Sequence, residues 1–122
     1  MLWEENNMIS AELNKIFVNK FPNLQEKYLD EVSWQEGDDT GSHIVYGDVL
    51  TPYLKECILK DYKREFQIVF DFLEELLGLD DEYADEVVSF SVFESLAYLF
   101  KEKAYLISYL GEKCKKALNE IV

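Results

Sequence analysis

Residues 82–100 read EYADEVVSFSVFESLAYLF, and this stretch decides the fold class that the sequence predicts. Apolar residues recur through it at the three- and four-residue spacing of an α-helix and cover more than one face. A helix that is apolar on more than one face is buried inside a protein. We therefore predict that this helix is the central element and that Phe90 or Phe93 belongs to the core. Its main apolar positions are Val87, Val88, Phe90, Phe93, Leu96, Ala97 and Phe100.

Five further segments on either side of this stretch follow the helical pattern. Phe21-Pro22 separates the first two, because the residue before a proline is disfavoured in the α region. Gly78 suits the left-handed residue that often ends a helix, and Gly111 indicates close packing inside the last one. These predicted helices span residues 8–20, 23–33, 49–60, 62–77 and 102–120.

The segment between the second and third predicted helices has a different composition. Residues 35–43 are dense in Gly, Asp and Ser and are predicted to form a loop. Residues 44–46 form a short apolar run that we interpret as an extended entry into the next helix, with Asp48 as its N-cap. The prediction is one all-α domain over residues 1–122, an irregular bundle or a short solenoid-like stack of five to six helices. Residues 1–7 are predicted to be a flexible N-terminal extension.

The composition excludes several classes of protein. Apolar residues make up 48% of the 122 positions, which excludes a disordered chain, and only 5 Gly and 2 Pro argue against a β-sandwich. No run approaches the roughly 20 apolar residues of a membrane helix, and the first residues are acidic where a signal peptide is basic. We therefore expect a cytoplasmic protein that binds no membrane, with Cys57 and Cys114 reduced and unbridged.

The charge is strongly acidic and unevenly distributed. A net charge of −13 argues against nucleic-acid binding and favours either a basic protein partner or solubility alone. Residues 65–100 hold ten acids and no Lys or Arg. Helix-start acids are explained by the macrodipole, but Asp71, Glu74 and Glu75 lie late in a predicted helix, where anions are disfavoured. A functional acidic surface is one explanation for them.

The sequence carries no catalytic signature. Ser42, the single histidine His43 and Asp39 contain the residue types of a triad, but neighbouring residues rarely reach that geometry, so we interpret His43 as a loop residue. Motifs for zinc, calcium, nucleotide phosphate and dinucleotide binding are missing. We predict no catalytic residues, no metal, no cofactor and no enzyme. A carboxylate-dependent metal-binding protein or enzyme, using acids such as Asp71 and Glu74, is the alternative, and a structural or regulatory subunit is another.

Three segments together resemble a family of small, acidic, helical bacterial proteins. They are Phe21-Pro22 with Tyr28, the aromatic-Gly-Asp sequence 46–48, and residues 86–96, which resemble a hydrophobic-Ser-Phe-x-Glu-x-Leu pattern. The resemblance covers residues 15–118, and members resemble immunity proteins encoded beside secreted toxins. It implies a helical fold and a protein partner, and no catalytic residues.

The resulting hypothesis is a cytosolic immunity or antitoxin-like protein that neutralises a basic toxin, such as a nuclease, through an acidic surface. Trp34 lies beside the acidic loop and is a candidate anchor, because Trp is enriched at binding hot spots. The sequence does not specify an oligomeric state. The predicted partner-binding residues are Trp34, Glu36, Asp38, Asp39, Asp71, Glu74, Glu75, Asp81, Glu82 and Asp85.

Overall fold

The computed structural model describes residues 7–121, and all the regular structure among these residues is helical, as predicted. The predicted flexible extension lies outside the described residues except for Asn7. Three 3-10 turns (Pro22–Leu24, Gly37–Asp39 and Ala104–Tyr109) and two π-helical segments (Tyr46–Leu50 and Val87–Phe93) complete the helical structure. The α-helices are α1 Ser10–Lys20, α2 Gln25–Val32, α3 Ser42–Val45, α4 Thr51–Leu59, α5 Lys63–Leu77, α6 Glu82–Glu86, α7 Glu94–Glu102 and α8 Glu112–Ile121.

The chain is helical without a break from α3 to α4, through the first π segment. The predicted extended run at 44–46 is therefore wrong, and so is the predicted N-cap at Asp48, which lies inside the π segment. Val45 and Tyr46 are fully buried, and the Gly41 carbonyl accepts the first helical N–H groups. Burial of these apolar side chains favours the helix at this position.

The stretch 82–102 is likewise continuous and holds the second π segment between α6 and α7. Its Val87 and Val88 are buried, and Val92 and Phe93 are buried five residues later. The backbone hydrogen bonds of a π-helix join residues five positions apart, so the core-facing positions shift relative to an α-helix. Phe93 is therefore in the core, as predicted, whereas Phe90 is 55% exposed.

The two π segments lie against each other. A Cβ atom placed on Gly47 of the first would lie 3.8 Å from Ser91 of the second, an ordinary van der Waals distance. The buried Thr51 hydroxyl donates a hydrogen bond of 2.8 Å to the Ser91 carbonyl. The sequences 46–48 and 86–96, which carry the family resemblance, thus meet in the fold.

The predicted helix 102–120 is divided in two. Helix α7 ends at Glu102, a 3-10 turn follows, and α8 begins directly after Gly111. A Cβ atom at Gly111 would lie 2.5 Å from the Glu74 carboxyl carbon, so any other residue here would displace that carboxylate. Close packing at Gly111 was predicted correctly, but at a helix start and not inside a helix.

Two aspartates, and not Gly78, take the left-handed conformation at helix ends. Gly78 has a φ of −77°, while Asp61 and Asp80 have φ values of 59° and 57°. After α4, Tyr62 donates its N–H to the Cys57 carbonyl at 2.8 Å, which closes a Schellman-type end around Asp61.

Cys57 and Cys114 are both buried and unbridged. No helix among residues 7–121 has the length and apolarity to cross a membrane.

Candidate acidic interface

The 36–39 loop is closed on itself by Thr40. Gly37 has a φ of 60°, a conformation that glycine adopts without strain. The Thr40 hydroxyl donates to the Gly37 carbonyl at 2.7 Å and accepts the Glu36 N–H at 3.2 Å. Although it contains the Gly-Asp-Asp sequence of a flexible turn, the loop therefore has a defined backbone.

Buried Asn14 of α1 attaches this loop to the core. Its amide nitrogen donates to the carbonyls of Thr40 at 2.7 Å and Asp38 at 3.1 Å, and its oxygen accepts the Ser42 hydroxyl at 2.8 Å. Sequence reasoning missed Asn14. The available signal was its position on the apolar face of α1, between Leu13 and Phe17. A fully buried amide has to find partners, and here those partners are the backbone of the acidic loop.

Tyr28 of α2 holds the Asp38 side chain. Its hydroxyl donates to the carboxylate at 2.7 Å. Burial, followed by the interaction with Asp38, raises the pKa of Tyr28 well above its usual value, so the hydroxyl stays protonated as a donor. The Asp38 carboxylate thus has a fixed position while its residue remains exposed.

Glu36 and Asp39 are exposed beside Asp38, and Trp34, two residues before Glu36, is 73% exposed. Among residues 7–121, the ion pairs are Lys60–Glu56, Lys63–Asp61 and Lys115–Glu112, so none involves the 36–39 loop. Three carboxylates without an ion pair therefore stand next to an exposed Trp in one ordered segment.

The three acids of α5 have different environments. Glu74 is half-buried, and its carboxylate accepts the N–H groups of Cys114 at 2.9 Å and Lys113 at 3.1 Å. Burial raises the pKa of Glu74, but these N–H donors outweigh it and hold the pKa below its usual value. Glu74 thus caps α8, and this role explains its late position in α5 without invoking a partner protein.

The other two α5 acids, Asp71 and Glu75, are exposed, and Asp71 accepts a hydrogen bond from Gln67.

Of the α6 acids, Asp81 is engaged within the chain. It is only 7% exposed, and its two oxygens accept the N–H groups of Ala84 at 2.8 Å and Met8 at 2.7 Å. It is the N-cap of α6, so its carboxylate, like that of Glu74, already has backbone partners within the fold. Glu82 is exposed.

Asp85 is half-buried, and one of its oxygens is buried with no partner among the described residues. Burial raises the pKa of Asp85, and the nearby charges of Asp80 and Asp81 raise it further. Ionised Asp85 is therefore unfavourable for the fold, and its side chain is less accessible to a partner than that of exposed Glu82.

The predicted acidic residues therefore do not form one set. The 36–39 loop packs against α1 and α2, whereas α5 packs against α8 and is linked to it through Glu74. Gln67, the partner of Asp71, also donates to the Tyr109 carbonyl, which places Asp71 beside the segment that leads into α8. The structure brings Trp34, Glu36, Asp38 and Asp39 together in one segment and places Asp71 and Glu75 elsewhere.

The single histidine belongs to a polar contact between α3 and the second π segment. His43 Nδ1 lies 2.8 Å from Ser91 Oγ, and the edge of its ring meets Tyr83 at 5.6 Å between centroids. The Ser42 hydroxyl instead donates to the Asn14 side-chain oxygen at 2.8 Å and lies 3.3 Å from the Ser10 carbonyl, so Ser42 and His43 are not a nucleophile and its base. The His43–Ser91 contact was not predicted; the resemblance at 86–96 was its only signal.

Within the described part of the chain, no group of three or more His, Cys, Asp and Glu side chains is arranged to hold a metal ion. Searches of curated proteins and of solved structures gave no match. One family model, described as a domain of unknown function (DUF7674), matches residues 14–122 and so includes α2 to α8, both π segments and the 36–39 loop. By this match the chain belongs to the DUF7674 family.

Proposed function

We propose that this chain is a cytosolic immunity or antitoxin-type protein that binds a basic toxin and neutralises it. The observation that carries the proposal is the 36–39 loop, an ordered segment whose three carboxylates make no ion pair among the described residues and stand beside exposed Trp34. Binding a protein is the chemistry to which this arrangement is best suited.

Order in the loop favours binding. Association costs free energy for every segment that becomes fixed in the complex. Asn14 and Tyr28 already hold the backbone of the loop and the Asp38 carboxylate in the free protein. The entropy that the loop loses on binding is therefore smaller, and it opposes association less.

Charge and shape have separate roles in this proposal. The net charge of −13 steers a basic partner towards the protein, and the exposed acids Asp71, Glu75 and Glu82 add to that long-range field. The 36–39 carboxylates make the direct contacts with the partner. Trp34 provides an apolar anchor, since Trp is enriched among the residues that contribute most of the binding free energy at interfaces. Against a nuclease, the carboxylates would occupy the positive site that holds phosphates.

The test begins with identification of the partner, by co-purification of the tagged protein with the products of its neighbouring genes. Affinity is then measured for the wild type and for the neutralised triple variant Glu36→Gln, Asp38→Asn, Asp39→Asn. The matched control is Glu94→Gln, Glu102→Gln, Glu120→Gln, which changes the net charge equally at exposed positions elsewhere.

We expect the loop variant to lose about threefold to 150-fold in affinity, since three exposed charge contacts contribute about 0.2–1 kcal/mol each. Wild-type binding should also weaken between about 0.1 and 1 M salt, as the Debye length falls from about 10 to 3 Å. Equal affinities of the two triple variants for a basic partner would refute the loop as the interface. An acidic partner, or a toxin that stays active when saturated with this protein, would refute the function.

A further inference from the structure

A groove runs between α1 and α2, next to the acidic loop, and encloses about 490 Å³. One wall is a stripe of α1 at positions 11, 15, 18 and 19, and the other comes from α2 at positions 25, 28 and 29. Asp38 also lines the groove. The volume lies in the range of about 300–1,000 Å³ that is usual for binding pockets.

Both walls of the groove carry apolar side chains among polar ones. Ala11 and Val18 are half-buried on α1, and Leu29 of α2 is 51% exposed. The polar residues of the lining are Lys15, Asn19 and Gln25. An apolar groove between two helices is the kind of site that receives the apolar face of an amphipathic helix.

The groove also has an anionic position. Tyr28 holds Asp38 through one carboxylate oxygen, and a carboxylate can accept several further hydrogen bonds. Beyond Asp38 the chain carries exposed Asp39. The groove therefore combines apolar walls with a fixed negative charge.

We propose that the α1–α2 groove receives an amphipathic helical segment of the basic partner. The segment places an apolar side chain between Val18 and Leu29 and a Lys or Arg side chain against Asp38. The inference rests on the proposed function and deepens it, because it names the structure of the partner segment and where it binds. Lys15 offsets Asp38 within the lining, so the exposed acids next to Asp38, Glu36 and Asp39, and the net charge of −13 select a basic segment over an acidic one.

Lys15 allows a test of whether the bound segment is basic or acidic. It is exposed and lines the same groove as Asp38. A basic segment is repelled by Lys15, so the variant Lys15→Glu should bind it more tightly. An acidic segment would show the opposite change.

The probe is a synthetic amphipathic helix of Leu and Lys, about 18 residues or five turns long. Two reference peptides accompany it: a Leu and Lys peptide of scrambled order, and an amphipathic peptide of Leu and Glu. Binding is measured by titration, and its location by amide chemical shifts of the full chain. The groove variant is Leu29→Arg, and Leu59→Arg on α4 is its control, since Leu59 is 56% exposed and lines no part of the groove.

We expect the amphipathic Leu and Lys peptide to shift the amides of Ala11, Val18 and Leu29. Leu29→Arg should weaken binding of this peptide about three- to tenfold, because the exposed half of the leucine side chain is no longer buried on binding, whereas Leu59→Arg should have little effect. Lys15→Glu should strengthen it severalfold.

Three results would overturn the groove proposal. They are equal binding of the scrambled basic peptide, tighter binding of the Leu and Glu peptide, and an altered oligomeric state of Leu29→Arg, which would show that a second copy of the chain covers the groove. If the neutralised 36–39 variant loses its partner while Leu29→Arg does not, the groove proposal fails and the proposed function stands. If neither variant affects a basic partner, the groove and the loop both fail as the interface, and the function is then decided by whether this protein inactivates the toxin.

Discussion

Replacing Glu74 with alanine tests whether this carboxylate stabilises the fold or serves a partner. It accepts the N–H groups of Lys113 and Cys114 at the start of α8, a helix of 10 residues. Helices shorter than about 12–15 residues are marginal alone, so α8 depends on its cap and its packing. Loss of a cap costs about 0.5–2 kcal/mol, and a buried N–H left without a partner costs about 1–3 kcal/mol. Because Glu74 is half-buried, water replaces part of the interaction, and we expect a loss of about 2 kcal/mol.

The assay is chemical and thermal unfolding followed by far-UV circular dichroism. For a chain of this length a loss of about 2 kcal/mol lowers Tm by about 6–10 °C. Glu75→Ala is the matched control: it removes the same charge from the next position of α5, where the side chain is exposed. It should cost less than about 0.5 kcal/mol. Equal losses for the two variants would refute the capping role.

The pH dependence gives a second measure of the same contact. Since the pKa of Glu74 is lowered in the folded state, its stabilisation is complete above the unfolded value of about 4.3 and is lost as the pH falls through the folded-state pKa. The difference between wild type and Glu74→Ala should therefore be constant from pH 7 to about pH 5 and shrink in acid. A difference that persists in acid would contradict a cap made by the charged carboxylate.

Three further predictions concern stability. Phe93→Ala should lower the free energy of unfolding by about 3–5 kcal/mol in a denaturant titration, because Phe93 is fully buried. Phe90→Ala should lower it far less, because Phe90 is half-exposed. Asp61→Gly should raise the free energy of unfolding by about 1 kcal/mol, since the left-handed φ of 59° costs that much at a residue with a Cβ atom. Asp85→Asn should raise Tm at pH 7: the raised folded-state pKa means that ionised Asp85 destabilises the fold, and the gain should vanish at a pH low enough to protonate the wild type.

The helical class and most of the helices were predictable, because their apolar stripes follow a 3.6-residue period. Helix α5 begins at Lys63 and ends at Leu77, within one residue of the prediction 62–77. The period failed where the helix itself changes. A π segment moves the inward positions by one residue, so Phe90 turned out to be exposed although the pattern placed it with Phe93. At Gly111 a contact with Glu74, distant in sequence, determined the start of a helix that local spacing had not indicated.

The candidate interface was predictable in part. Composition identified the acidic loop, and the isolated position of Trp34 identified an exposed aromatic residue. The anchors of the loop were not predictable, because Asn14 and Tyr28 act on residues 24 and 10 positions away. Asp81 illustrates the other limit: its capping of α6 is a local contact, but its contact with the Met8 N–H joins residues 73 positions apart.

What separates an acid that stabilises the fold from one that is free for a partner is the presence of a backbone N–H donor within reach. Glu74 and Asp81 each accept two such donors. Glu74 is half-buried, and Asp81 is buried. Asp38 lies between the two classes, because its single donor is a tyrosine hydroxyl and its residue remains exposed. Since α1 supplies both Asn14, which anchors the loop, and the stripe that lines the groove, a partner helix seated on α1 would meet Asp38 at a position fixed by that same helix. In both proposals, the acidic loop and the groove form one candidate surface, organised by α1 and α2.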